Sequence, residues 1–598
     1  MGNGNAHLIE DLAAEGVSYT AVRHEAGTVA AADAYTRVSG KIAIATTTYG
    51  AGFTNTLTAL AEAAQARTPM LVVVGDAPST GARPWDVDQE MLAAALGVRT
   101  HALSVTNIER TVERAVSYAA RVRRPVVLGI PYDIVSAEAA APAPAPAPNP
   151  EGIDLNDPAV LAALTASVAD HAVTTPGGSA DAGDRGRSAG VAGSGSLAGS
   201  GSFAGSALEH QIETAAHALI EAERPLIIAG RGAHVAGAGA ELGALAGCLG
   251  ALTSTTALGR GIFPNTQYDL GVTGGFGQAG AMEVVAQADV VVVVGASLNQ
   301  FTMRFGELFA PGTTVIRVDT EQVSPPASKH PITHQVLQGD ARATVAALTH
   351  AIERERARTL LEHERHGDWA IPRGQAPWRE QVTGLEPGGS LRVRDSGEQV
   401  CSDGRLDPRA VATRIGELLP VDRHVTTDGG HFLGWANMYW PVASPERMIM
   451  VGTAYQTIGL GLSTVAGVAA AAPGTTTVLS TGDGGGLMAL ADLETAIRTS
   501  ASGVIVVWND AAYGAEVHLY GLMGLDQGPM LIPEVDFASV ATALGAQGVR
   551  VSQLSDLDAL ADWTAAGARG TILLDCRVSR SVVAEYQLEI QRVNGLDV

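Results

Sequence analysis

The segment Ser480–Leu490, STGDGGGLMAL, closes the apolar run TTTVLS and opens the helix-like stretch LMALADLETAIRTS. A strand, a Gly-rich turn and a helix in that order aim backbone N–H groups and a helix N-terminus at one point, which makes an anion site. The glycine spacing is not that of a dinucleotide fingerprint, and no P-loop lysine follows. An acidic residue, Asp483, stands in the turn instead, and an aspartate beside a phosphate is repulsive unless a cation lies between them. One helix and one strand later GVIVVW runs into NDAAYG, which places Asp510 27 positions beyond Asp483 (510 − 483). In a parallel sheet both residues lie at the carboxyl ends of strands, where open α/β sheets bind ligands. Two carboxylates and a turn carbonyl are hard oxygen ligands, suited to Mg²⁺ or Ca²⁺ completed by phosphate oxygens.

Working outward from this segment, the same strand-helix alternation recurs along the 598-residue chain. KIAIAT (Lys41–Thr46), MLVVVG (Met70–Gly75) and PVVLGI (Pro125–Ile130) are strand-like in the first part. PLIIAG (Pro225–Gly230), DVVVVVG (Asp289–Gly295) and TTVIRVD (Thr313–Asp319) are strand-like in the second, and HVTTDGG, TTTVLSTGDG, GVIVVWND and GTILLDC in the third. Strands separated by helical stretches signal parallel α/β sheets. The expected organisation is a first unit over 1–138, a linker over 139–206, a central unit over 207–352, a connector over 353–406 and a third unit over 407–598. The linker begins as an Ala-Pro spacer and continues Gly/Ser/Ala-rich, a composition for flexible chain without fixed structure. In the connector, His363 and His366 are spaced for one helical face, but their Arg and Glu neighbours point to a solvated helix rather than a metal site.

The formal charge of −23, from 62 acidic against 39 basic residues, argues against a nucleic-acid or anionic-membrane surface. Three widely separated cysteines, Cys248, Cys401 and Cys576, form no CxxC and suit a reducing compartment. With no signal-peptide pattern and no apolar run long enough to cross a bilayer, a cytoplasmic protein is expected.

The pair Gly-Asp-Gly and Asn-Asp, with a helix and a strand between, resembles the diphosphate motif of thiamine diphosphate (ThDP) enzymes. The likeness is to the acetolactate synthase/pyruvate decarboxylase-like branch. AVRHEAGTVAAADAYTRVSGK (Ala21–Lys41) resembles that family's segment for the glutamate that touches the aminopyrimidine ring, and TTTYGAGFTN (Thr46–Asn55) resembles its Gly-Pro-Gly turn with Ala51 in place of Pro. TTDGGHFLGW (Thr426–Trp435) looks like the loop opening the diphosphate-binding domain, and GTAYQTIGLGL (Gly452–Leu462) like the segment that bends the cofactor.

The resemblance implies an α/β fold of three consecutive doubly wound parallel-sheet domains: pyrimidine-binding, central and diphosphate-binding. It implies ThDP and Mg²⁺, with Asp483, Asp510 and the Ala512 carbonyl on the metal and Gly482, Gly484, Gly485 and Tyr513 around the diphosphate. Ile458 would be the apolar wedge under the bent cofactor, and the Gln456 carbonyl would accept from its amino group. Glu25 would promote the imino tautomer that generates the nucleophilic ylid, acting across the interface of a homodimer or of a dimer of dimers (homotetramer). The implied activity is 2-oxo-acid decarboxylation or carboligation through an enamine that is protonated or condensed with a second carbonyl. Alternatives are a C–C lyase or hydrolase of a diketone or acyloin, and a catalytically silent ThDP-binding homologue.

Four departures qualify the likeness. The helix and first strand that precede the MGNGN loop in the family are absent, which points to a late-placed start codon; Asn5 falls where decarboxylases face the reacting carbon, or is a loop amide. Asp510 replaces the second Asn of the motif. Glu516 stands at the position of an active-site glutamate of decarboxylases, with His431 and His518 as further candidates for proton transfer. In the central domain GRGAHVAG (Gly230–Gly237) lacks dinucleotide spacing, so that domain is expected to be structural where relatives hold FAD or ADP.

Overall fold

The computed structural model describes residues 1–138, 200–366 and 376–596. Three all-parallel sheets follow one another along the chain. The first has four strands, β1 (Ala43–Thr47), β2 (Met70–Asp76), β3 (Arg99–Ala102) and β4 (Pro125–Pro131), in the order β1-β2-β4-β3. The central sheet has β5 (Pro225–Ala229), β6 (Leu252–Thr255), β7 (Asp269–Val272), β8 (Val290–Val294), β9 (Thr314–Asp319) and β10 (Thr333–Gln338), ordered β10-β9-β8-β5-β6-β7. The third has β11 (Arg423–Thr427), β12 (Met448–Met450), β13 (Thr476–Gly482), β14 (Ser502–Asn509), β15 (Gln547–Val551) and β16 (Gly570–Arg577), ordered β12-β11-β13-β14-β16-β15. Helices on both faces bury the central strands completely, and β8, Val-Val-Val-Val-Val, is buried at every position. Such strands must be apolar on both sides, which is why they stand out as continuous apolar runs.

In the third sheet the chain moves outward from β11 to β12 on one side and from β13 to β14 on the other. The order therefore reverses between β11 and β13, and the crevice beyond their carboxyl ends is the point where open sheets take ligands. Asp428 follows β11, Asp483 follows β13 and Asp510 follows β14, so all three converge there.

The domains are joined by close packing and by buried charge. Helix Gly461–Ala471 of the third domain lies on helix Glu25–Ser39 of the first, and at the crossing a Cβ on Gly467 would lie 1.9 Å from the Ala31 carbonyl oxygen. Arg260 of the central domain donates to the carbonyls of Asn437 (3.1 Å) and Trp440 (3.2 Å) at the end of helix Leu433–Tyr439, where cations suit the helix dipole. Burial pulls the Arg260 guanidinium down to about 9.

Two expectations change, and a third rests on side chains outside the described residues. The helix after the glycine turn is broken into Asp483–Met488 and Ala491–Thr499. Asp492, in the first turn of the second helix, takes the Arg23 N–H (2.8 Å) and the Ser463 hydroxyl (2.7 Å), and the first of these ties the first domain to the third. A helix begins at Ser200, inside the stretch expected to be unstructured, while 139–199 lies outside the described residues. The connector helix reaches His366, and the side chains of His363 and His366 lie outside the described residues. The three cysteines are free thiols, and among the described residues no helix is long and apolar enough to cross a membrane.

Gly467→Ala should lower stability by about 1–3 kcal/mol, because the methyl group meets a backbone carbonyl that cannot step aside. Gly474→Ala, with open space around its Cβ position, is the neutral control in the same thermal unfolding measurement.

Candidate functional site

A cavity of about 1240 Å³ opens at the β11/β13 switch point and extends along the central domain. It is lined by Gln456, Ile458, Gly482, Asp483, Gly484, Gly485, Asp510, Ala512, Tyr513, Glu516 and His431, which the sequence places far apart. The glycines of the turn are required by packing as well as by any ligand. A Cβ on Gly484 would lie 2.7 Å from the Tyr513 ring, and one on Gly485 would lie 2.6 Å from Asp428 Oδ2.

Asp483 and Asp510 are 3% exposed each. Asp483 Oδ1 takes the Gly484 N–H at 2.8 Å, and Asp510 Oδ1 takes the Ala512 N–H at 3.1 Å around a turn in which Ala511 has φ 57°. Asp510 Oδ2 is buried and meets no donor among the described residues. Burial raises both carboxyls above the usual range, and for Asp510 the charge on Asp483 pushes in the same direction. A cation between them removes both penalties, and the free Oδ2 supplies a ligand atom. The residues present therefore fit a divalent metal. Among the described residues no cluster of three His, Cys, Asp or Glu side chains is arranged to hold one, so two carboxylates are what the side chains offer and other oxygen ligands would complete the shell.

Sequence reasoning passed over Asp428. It is fully buried and accepts from the N–H groups of Gly429 (2.8 Å), Gly459 (3.0 Å) and Leu460 (3.3 Å), while burial pushes it up to about 6. The signal was legible: an acid directly after a strand and before glycines, as in the Asp483 segment.

His431 packs edge-to-face on His518, with ring centroids 4.8 Å apart. A Cβ on Gly514 would lie 2.4 Å from His431 Nδ1 and 2.9 Å from Asp510 Oδ2, so only glycine leaves the imidazole beside the acid pair. His518 Nε2 lies 2.7 Å from the Arg580 carbonyl, which can only accept; that nitrogen therefore carries the proton, and the buried Nδ1 is left without a donor. Burial, helped by His518, brings His431 down to about 3, so near neutral pH it is an uncharged imidazole. Glu516 sits on the cavity rim and is exposed.

Glu25 does not line this cavity. It opens helix Glu25–Ser39, where Asn55 Nδ2 donates to its Oε2 at 3.0 Å. The turn that carries Asn55 follows β1, and so belongs to the carboxyl edge of the first sheet. Asn5 is fully buried in that domain; its Oδ1 takes the Gly2 N–H (3.0 Å) and its Nδ2 donates to Thr46 Oγ1 (3.1 Å), the arrangement of a loop amide.

Three models of one enzyme family match the chain in order. The N-terminal TPP binding domain matches residues 1–96, the central domain 212–348 and the C-terminal TPP binding domain 428–576. The chain belongs to the thiamine pyrophosphate enzyme family. Acetolactate synthase isozyme 3 large subunit of Escherichia coli is 25% identical over 91% of this chain and 84% of that protein. The probable 2-ketoarginine decarboxylase AruI of Pseudomonas aeruginosa is 28% identical over 92% and 85%. Sulfoacetaldehyde acetyltransferase of Castellaniella defragrans is 27% identical over 93% and 86%. The expected fold is the observed one, three parallel α/β domains in the family's order.

In the thiamine pyrophosphate enzyme frame, the cavity's extension along the central domain runs past Arg67, Arg123, Arg231 and Asp319. The Gly230–Gly232 turn there is closed by backbone contact with β8: Gly232 N–H donates to the Gly295 carbonyl at 2.9 Å.

The acid pair has a pH signature. Its folded-state pKa values are raised, so the folded protein holds protons that the unfolded chain has already lost, and stability falls as pH rises from about 5 to about 8. Asp510→Asn should flatten that slope and stabilise the metal-free protein at pH 8 by about 1–3 kcal/mol. Mg²⁺ should stabilise the wild type at pH 8 far more than at pH 5, and the variant at neither. Denaturant titrations with and without Mg²⁺ at both pH values read all three effects.

Proposed function

We propose that this chain is a ThDP- and Mg²⁺-dependent 2-oxo-acid decarboxylase or carboligase, acetolactate synthase-like. The observation that carries the reading is the buried acid pair Asp483/Asp510 at the switch point of the C-terminal TPP-binding domain, with one carboxylate oxygen unpartnered. In this reading Asp483, Asp510 and the Ala512 carbonyl hold Mg²⁺, and Gly482, Gly484, Gly485 and Tyr513 surround the diphosphate. The Gln456 carbonyl accepts from the aminopyrimidine, and Ile458 supports the bent cofactor. The cofactor's chemistry is to supply a carbon nucleophile and an electron sink for a 2-oxo acid that loses CO₂.

The chain's own residues orient and move protons. Glu25 protonates and deprotonates the pyrimidine edge. His431, packed against His518 and lowered by burial, can hold a polar substrate group through its uncharged imidazole. Glu516 on the rim is the second proton carrier. Because Glu25 lies on the carboxyl edge of the first sheet and away from the Asp483 cavity of its own chain, the complete site is assembled from two copies. Each copy contributes Glu25 to the cavity of the other, in a homodimer or a homotetramer.

Full-length protein with ThDP and Mg²⁺ should release CO₂ from a member of a 2-oxo-acid panel. Absence of both ThDP binding and CO₂ release overturns the proposal, whereas cleavage of a diketone without CO₂ redirects it to a lyase. Glu25→Gln should retain ThDP binding and lose about 10²–10⁴-fold in turnover. Mixing inactive Glu25→Gln with inactive Asp483→Asn, after subunit exchange, should restore activity. No recovery in demonstrated mixed dimers would place Glu25 and the metal site in one chain.

A further inference from the structure

The stretch Gly452–Leu460 lines the cavity as a turn, and its two flanks are gripped by buried carboxylates from different domains. On the far side, Asp428 of the third domain takes the N–H groups of Gly459 and Leu460. On the near side, the Tyr455 N–H donates at 2.7 Å to Glu62 Oε2, which belongs to the first domain. Between these anchors hang Gln456, Thr457 and Ile458. Gln456 has φ 58°, a left-handed conformation that a non-glycine residue keeps only where its surroundings impose it.

Glu62 is itself fixed. It is fully buried, and its Oε1 accepts from Arg37 Nη2 at 3.2 Å. Arg37 is locked by a two-pronged contact with Asp33, through Nε and Nη2 at 2.6 Å each, and its remaining Nη1 donates to the Met450 carbonyl at 2.6 Å. Burial works against charge on Arg37, but Asp33 and Glu62 outweigh it and hold the guanidinium above its ordinary value. Arg231 enters from the central domain and donates to the Ala66 carbonyl at 2.6 Å; burial and the charges of Arg37 and Arg123 pull its guanidinium down to about 10 against the attraction of Asp33 and Glu62. The Asp33–Arg37–Glu62 group thus sits where the three domains meet. The group's two contacts with the third domain, Met450 O and Tyr455 N, bracket the start of the turn.

A cluster placed only to join domains could grip any surface of the third domain. This one ends on the amide that immediately precedes Gln456. We propose that Glu62, fixed by Arg37 and Asp33, is a positioning residue that holds the Gln456–Ile458 arch in the conformation that receives the thiamine ring. The inference rests on the assignment of Gln456 and Ile458 to the cofactor made above. It gives the first domain two separate duties: it shapes the cofactor seat of its own chain through Glu62, and it offers Glu25 to another.

The test uses full-length protein with Mg²⁺ and ThDP itself as the probe. Glu62→Gln removes the charge, whereas Glu62→Asp keeps the charge opposite Arg37 and shortens the reach to the Tyr455 amide by one carbon, so it is the variant that preserves the fold. Both should weaken ThDP binding by about tenfold, the coupling usual for contacting residues, and should speed hydrogen exchange in 452–460. In an Ile458→Ala background, Glu62→Asp should change the dissociation constant less than about threefold, because the arch it positions has lost its wedge. A folded Glu62→Asp protein with wild-type affinity and unchanged exchange in 452–460 overturns the proposal, as do additive effects in the double variant. Wild-type protein that binds no ThDP overturns the cofactor assignment and this proposal with it, whereas wild-type binding with an unaffected Glu62→Asp protein overturns this proposal alone.

Discussion

Asp483 and Asp510 lie buried at the carboxyl ends of neighbouring parallel strands, close enough that each disfavours the charge of the other. Two such carboxylates are a burden on the folded state unless a cation or a proton answers them. The surroundings are built to keep them there. The sheet reverses its order beside them, glycines admit Tyr513 and Asp428 against the turn, and Gly514 leaves room for His431. This edge lies in the segment that matches the C-terminal TPP-binding domain of the thiamine pyrophosphate enzyme family, and under the proposed function a metal-bound diphosphate would supply the answering charge.

The same logic of buried charge extends outward. Asp428 carries no obvious partner charge but is satisfied by backbone N–H groups, which turns it into an anchor for the Gly459 end of the arch. Asp492, in the first turn of its helix, holds the chain just ahead of Glu25. Asp33 and Glu62 share Arg37, with Arg231 of the central domain beside them. Removing one member of such a group leaves an uncompensated charge, so these contacts fix domain orientation more firmly than their number suggests.

The strands legible in the sequence are mostly those with neighbours on both sides. β2, β4, β5, β8, β9, β14 and β16 carry apolar runs because both faces are covered, and β13 carries a shorter one, whereas β11 (RHVTT) is buried with only one apolar residue. The strands that escaped notice, β3, β7, β10, β12 and β15, are sheet edges, and β6 lies next to one. RTHA in β3 and THQVLQ in β10 are mixed, partly exposed and carry no strong period, whereas β12 (MIM) and β6 (LTST) are buried but only three and four residues long. The single helix expected after the glycine turn failed for a related reason. The second segment begins at Ala491, and Asp492 in its first turn accepts from Ser463 and Arg23, tertiary contacts that local periodicity does not register.

The sequence alone determined the α/β class, the three-domain order, and the pairing of Asp483 with Asp510, because strand-turn-helix spacing fixes which residues reach the carboxyl edge of a parallel sheet. Only the tertiary structure decided which of the candidate residues share a cavity. It brought His431, Gln456 and Ile458 beside the acid pair, left Glu25 on another edge and engaged both halves of the Asn5 amide inside its own domain. It also drew in Asp428 and Glu62, whose carboxylates act on backbone amides distant in sequence. Contacts of that kind depend on how sheets reverse and domains dock, and these are set by packing over the whole chain rather than by any local pattern.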